Sequence, residues 1–355
     1  CLLNLISYCK GENCTLKILF LCRKNNTNYG RTYGLDNSAK FVSNCLDAMK
    51  DITSEIIVVN DSNDIDREVT KRNPKIVILE ALWATPAKMK ELMSLQRHSQ
   101  RIWVIRIHSR WSFLAQEGMA MAWLNGYRFI DFKNFYIAPN TEELTSDLMY
   151  VLNLNTVYLP NIYCPLKYPK CKVTKSKTEL NIGCFGAIRP FKNVFTQAMA
   201  AIRFANEQGF KLNFHVNGYR IEQWGEQNFK NLTALFDGQE RHYLIKHPWL
   251  SHAEFNKLVK QMDMGMQVSF SETFNIVAAD FAFNKIPIVV SEEMAWLPDE
   301  FKVYNPNSTK EIVGTMHKLW DMPKETLKKL CIDSLKEHNA KAIKCWENFI
   351  TGFEV

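Results

Sequence analysis

Short apolar runs alternating with helical patterns, begun at residue 17 and begun again near residue 181, constrain this chain more than any single motif. In the first series the sequence predicts strands over residues 17–22, 55–60, 75–79, 101–108 and 135–138. Helices are predicted between them, over 35–49, 64–71, 86–95 and 113–124. The second series predicts strands over 181–185, 211–216, 262–267 and 286–290, with helices over 193–206 and 252–261 and a segment opening at Glu272. Alternation of this kind is the pattern of parallel sheets with helices on both faces. Between the series, residues 158–177 are rich in proline and lysine and poor in periodicity, and read as a hinge plus an exposed lead-in. A chain of 355 residues is too long for one ordinary core and suits two. The expected organisation is α/β, with one domain over 1–160 and a second over 161–339. Their sheets would face a cleft at the carboxyl strand ends, where ligands of such sheets bind. A terminal helix over 340–355 is expected to cross back to the first domain.

Composition excludes little but narrows the partners. An apolar fraction of 46% and a charged fraction of 23% are those of an ordinary globular protein. No run approaches the roughly 18 apolar residues of a membrane-spanning helix. The opening CLLNLISYC is short, lacks a basic region and runs into polar CKGENC, so a signal peptide is not expected. The ten cysteines form no CxxC pair and no regular framework. Cys22, Cys45 and Cys184 sit within apolar segments, where a thiol behaves as a small hydrophobe. A reducing cytoplasmic compartment is the expectation, and the Asn-x-Ser/Thr triplets at Asn25 and Asn231 then carry little weight. Net charge is +7 with a pI near 8.8, which fits an anionic ligand or partner without singling out nucleic acid.

Ligand chemistry concentrates in the second series. Its first strand is followed by GAIRPFKN, in which Gly186 permits close backbone approach while Arg189 and Lys192 place two cations just before a helix. Cations flanking a helix N-terminus make an anion site, with charge-assisted bonds worth roughly 1.5–3 kcal/mol each. The plain alternative is a solvated basic corner. Further on, SFSETFNIVAAD carries Glu272 and Asp280 with seven residues between them. If 273–283 is helical, positions 272, 276 and 280 share one face, and two carboxylates there could grip the hydroxyls of a sugar nucleotide. The plain alternative is a capping acid followed by a solvent-facing one.

Taken together, these residues resemble the donor-binding half of GT-B glycosyltransferases, in particular the large retaining group called group 1 or family 4. The resemblance implies two Rossmann-like domains with parallel sheets facing a cleft. It implies that Gly186, Arg189 and Lys192 form the loop that binds the diphosphate of a nucleotide sugar. Glu272 would contact the donor sugar and Asp280, one methylene shorter than the usual Glu, the ribose. The backbone amides of Thr273, Phe274 and Asn275 would meet the phosphates. NKIPIVVS is similar to the family's strand entry, with Lys285 where Gly is usual, and YLPN at 158–161 is similar to its interdomain hinge. His108, ending a predicted strand, matches a histidine that faces the donor sugar; the plain reading is a capped polar residue. Gly30 and Gly34 lie in the loop that approaches donor phosphates and acceptor, among Arg23, Lys24 and Arg31.

The implied activity moves a sugar from a nucleoside diphosphate donor, of the UDP or GDP type, to an acceptor hydroxyl with retention, needing no metal or resident cofactor. The YG…NSA and HSR…EG stretches are similar to those of transferases encoded by large tailed bacteriophages, which implies a modified base in DNA, or a glycan, as acceptor. A DNA acceptor would need its base flipped out and cations along the backbone; the lysines of 167–177 could serve, or simply be solvated. Two further functions share this architecture: a sugar-nucleotide epimerase, and a non-catalytic protein that binds a nucleotide sugar or another partner. Asp64-Ile65-Asp66 spells a metal-binding pattern, but its place at a predicted helix start makes capping the better account. His242, His247 and His252 recur every five residues without the acid spacing of a zinc protease.

Overall fold

The computed structural model describes residues 15–24, 33–165, 176 and 178–352. The chain divides into two compact units, Cys1–Pro165 with Asn339–Val355, and Leu166–His338. Gly30, Arg31 and all but Ser176 of 166–177 lie outside the described residues. Among those described, no helix is long and apolar enough to cross a membrane.

In the first unit the elements run β1 (Leu16–Arg23), α1 (Tyr33–Leu46), β2 (Ile52–Val59), α2 (Asp64–Arg72), β3 (Ile76–Glu80), α3 (Pro86–Ser94), β4 (Ile102–Ile107), α4 (Trp111–Leu114), α5 (Ala120–Tyr127), β5 (Phe135–Pro139) and α6 (Glu142–Leu152). The five strands form one sheet in the order β2-β1-β3-β4-β5, with every pairing parallel. The two-residue side-chain period of a strand splits the apolar residues between two cores. Leu19, Leu21, Val77 and Leu79 meet Ile65, Val69 and Met89 on one face. Ile18, Phe20, Ile78 and Val104 meet Ala39, Val42, Trp346 and Phe349 on the other. Asp64 and Asp66 stand in the first turn of α2 rather than capping it: the N-cap residue is Asn63, which makes no side-chain cap bond. Asp64 accepts from Asn60 N (3.0 Å), and Asp66 pairs with Arg97 and His98.

The second unit continues with β6 (Glu179–Gly183), α7 (Val194–Gln208), β7 (Lys211–Val216), α8 (Glu226–Asp237), β8 (His242–Lys246), α9 (His252–Val259), β9 (Met264–Gln267), α10 (Ile276–Phe283), β10 (Ile288–Ser291), β11 (Lys302–Val303), α11 (Thr309–Asp321) and α12 (Lys324–Thr351). Its sheet has the order β11-β10-β9-β6-β7-β8, again parallel throughout. The chain winds outward from β6 through β7 and β8, then returns to place β9 on the other side. That reversal makes β6/β9 the point where a ligand crevice opens at the carboxyl ends of the strands.

Several elements depart from the sequence expectation. β8 and β11 are edge strands with mixed burial and a weak apolar signal. α11 starts on a legible cap, Ser308 accepting from Glu311 N. The terminal helix begins not near 340 but at Lys324, directly after Pro323, and runs unbroken to Thr351. The helix expected over 273–283 begins at Ile276. Asn275 (φ 56°) turns the chain out of helical geometry and caps α10, its side chain accepting from Ala278 N (2.9 Å). Glu272 therefore stands in the loop ahead of α10, and 272, 276 and 280 do not share a helical face.

Candidate functional site

Two loops flank the β6/β9 reversal: 184–193 after β6 and 268–275 after β9. A buried amide network knits them together. Gln267, ending β9, donates to Phe185 O (2.7 Å) and accepts from Asn275 Nδ2 (2.8 Å). Gln197 on α7 accepts from Val268 N (2.8 Å) and donates to Lys192 O (2.7 Å). Asn193, held at φ 52°, donates to Val268 O (3.1 Å) and Pro306 O (2.8 Å). Phe270 N donates to Phe191 O (2.8 Å). Asn193, Gln197 and Gln267 are all buried. Buried amides with their hydrogen bonds made fix one geometry, because any rearrangement would leave polar groups unpaired. The interruption of an apolar strand by a glutamine, MGMQ, was the available sign in the sequence.

On this frame Lys192 and Glu272 form a direct ion pair. The cationic loop and the acidic loop, eighty residues apart in sequence, thus meet side chain to side chain. Burial, then the nearby Arg189 guanidinium, pushes the Lys192 ammonium down to about 7. Arg189 is engaged by Glu222, its Nε donating to Glu222 Oε2 (2.9 Å), while Arg220 Nε donates to Glu222 Oε1 (2.5 Å). Burial alone would raise the Glu222 carboxyl, but Arg189 and Arg220 hold it below the usual carboxylate range. Gly186 adopts φ +120°, a left-handed conformation that favours glycine. An added Cβ there would meet nothing within 4 Å, so the backbone borders open space. Its N–H donates to Asn217 Oδ1 (2.8 Å).

Thr273, Phe274 and Asn275 form the bend leading into α10. Trp296 Nε1 donates to Phe274 O (2.7 Å), and the His338 ring stacks on Phe274 at 4.7 Å. Asp280, only 1% exposed, lies a turn inside α10. Its Oδ1 meets His252 Nε2 (2.7 Å) and Asn256 Nδ2 (3.3 Å). Asp280 thus anchors the start of α9 from behind, a role its spacing from Glu272 did not suggest.

His108 belongs to the first unit, just past β4. Its Nε2 meets Glu80 Oε2 (2.7 Å), and Glu80 Oε1 accepts from Arg106 Nη1 (2.8 Å). Arg106 also donates to Asn161 Oδ1 (2.9 Å), and Asn161 bonds His108. Burial would raise the fully enclosed Glu80, yet Arg106 and His108 hold it below the usual range. Burial lowers the His108 imidazole. An ionised Glu80 puts the His108 proton on Nε2. Gly34 lies in the first turn of α1 with open space where a Cβ would go. Arg23 and Lys24 are exposed at the end of β1.

No family model matches the sequence, and no curated protein matches it. The two parallel-sheet units nonetheless have a recognisable fold, that of GT-B glycosyltransferase structures. Among solved structures, the chain is similar to the N-terminal domain of Candida albicans trehalose-6-phosphate phosphatase, with a TM-score of 0.67 at 9% identity over 97% of each chain. It is similar to an E. coli trehalose-6-phosphate protein bound with UDP-2-fluoro glucose, with a TM-score of 0.62 at 10% identity over 95% of this chain and 99% of that one. Similarity to S. aureus TarM, solved with fondaparinux, α-GlcNAc-glycerol and UDP, gives a TM-score of 0.53 at 12% identity, over 77% of this chain and 54% of that one. At such identities the likeness is one of fold.

Proposed function

We propose that this chain is a glycosyltransferase that carries a sugar from a nucleoside diphosphate donor to an acceptor hydroxyl. The observation that carries this reading is the Lys192–Glu272 pair on a knitted two-loop frame at the β6/β9 reversal. It sets cations for a diphosphate beside a carboxylate for sugar hydroxyls. Arg189, Lys192 and the amides of Thr273–Asn275 meet the charge that grows on the departing diphosphate, a preorganised electrostatic role. These cations are the reason we assign no metal to the reaction. Gly186 lets the phosphates approach the backbone, and Glu272 fixes the sugar so that its anomeric carbon faces attack.

We further propose transfer with retention, by front-face attack assisted by the leaving phosphate. That route needs no pair of carboxylates flanking the bond as hydrolases use. The acceptor hydroxyl would lie on a modified base in DNA or on a glycan; the net charge of +7 is compatible with either.

Incubation with a panel of UDP- and GDP-sugars, with DNA and glycan acceptors, tests the reading through released diphosphate and product mass. Arg189→Ala and Glu272→Ala are expected to lower turnover by at least about tenfold, the loss of roughly one charge-assisted contact, with the fold intact. Wild-type rates in both variants would remove the site. Donor binding by calorimetry without any product would leave a nucleotide-sugar-binding protein instead.

A further inference from the structure

The turn joining β7 to α8, GYRIEQWG over residues 218–225, plays no part in the roles assigned above, yet it is fastened to the cationic loop. Ile221 and Ile188 form a parallel β-bridge, with Ile188 N donating to Arg220 O (2.9 Å) and Glu222 N to Ile188 O (3.0 Å). Glu222 reaches Arg189. Gly225 packs so closely that a Cβ would lie 2.1 Å from Ile188 O. The turn therefore holds a fixed position beside the residues assigned to the diphosphate.

Within it Gln223 and Trp224 adopt φ of 48° and 67°. Two successive non-glycine residues in the left-handed region are strained, and strain of this kind gathers at ligand clamps. Its result here is an indole that is 85% exposed. Two polar atoms around the turn, Gln223 Oε1 and Trp249 Nε1, are buried without a hydrogen-bond partner. The Arg220 guanidinium covers the Trp249 ring at 4.1 Å. Buried groups left unpaired in a native fold call for an explanation, and a surface that is completed by a ligand supplies one. An exposed flat apolar side chain, displayed at a cost in backbone strain and fastened next to two cations, suits a ligand that joins a flat ring to an anion.

We propose that Trp224 is the stacking platform for the nucleobase of the donor nucleotide whose diphosphate lies on Arg189 and Lys192. This rests on the donor-binding reading and adds the residue that grips the base. Indole–base stacking needs only a π face. Trp224 thus contributes affinity for the nucleotide and little choice between bases.

Calorimetric titration of the full chain with inorganic pyrophosphate, UDP and GDP tests this. Trp224→Ala is expected to weaken UDP and GDP by about tenfold or more, the range of one stacked base, and to leave pyrophosphate unchanged. Trp224→Phe should keep most of the affinity. Unaltered UDP and GDP binding in Trp224→Ala, or a parallel loss of pyrophosphate, would overturn the platform. If Arg189→Ala abolishes UDP binding while Trp224→Ala does nothing, the donor reading stands and the platform falls. If the wild-type chain binds none of the three probes, both fall. Coincident unfolding curves for the variants are expected, since the side chain is exposed, and keep each comparison interpretable.

Discussion

Lys192 illustrates how burial and charge compete at one side chain. Burial and the Arg189 charge lower its ordinary value of 10.5 to about 7, while the Glu272 carboxylate paired with it favours the charged form. A bound diphosphate favours the charged form. To the extent that the free lysine has lost its proton, binding takes one up, and affinity is expected to fall as pH rises above about 7. Calorimetry at pH 8 in buffers of different ionisation enthalpy is expected to register that uptake. Lys192→Arg, which stays charged, should abolish both the uptake and the slope. The buried Glu80–Arg106 pair gives a second expectation. Glu80→Gln leaves a guanidinium enclosed without its counter-charge and should destabilise the first unit by about 3–5 kcal/mol, measurable by denaturant unfolding. The sequence made Arg189, Lys192 and Glu272 visible because a spacing motif carries them. Glu222 and Glu80 were not visible, since their ion pairs form only when distant segments align.

β7 and β8 carry a contact of another kind. His215, one residue before the end of β7, places Nδ1 2.8 Å from Nε2 of His247, just beyond β8, and its own Nε2 3.2 Å from Asn181 Oδ1 on β6. Burial, then His247, pushes His215 down to about 3 from 6.5. Between those values the unfolded chain binds the extra proton, so stability rises with pH across the window and is lost on acidification. By roughly pH 5 the loss should reach about 2 kcal/mol, before most carboxylates titrate; His215→Gln should flatten this part of the stability–pH curve. The five-residue histidine spacing held no hint of this pairing, because β8 is an edge strand whose apolar signal is weak. The central strands were legible from their continuous apolar runs. The start of α10 was misplaced because Asn275 overrides an otherwise helical pattern through a single positive φ.

The alternation of strand and helix was sufficient to anticipate two parallel sheets, since that pattern admits few other arrangements. It could not reveal that one helix would serve both cores. α12 sends Leu327 and Cys331 into the core of the second unit. Its later turns send Ala342, Trp346, Phe349 and Ile350 into the first. There Asn339 clasps both the N–H and the carbonyl of Tyr163 (2.9 and 2.8 Å), and Trp346 Nε1 bonds Pro160 O (2.9 Å). A chain emerging from the ribosome folds its leading segments first where it can. Here the face of the first sheet that α1 covers only in part is completed by Trp346 and Phe349, so its closure waits on residues more than three hundred positions further along the chain.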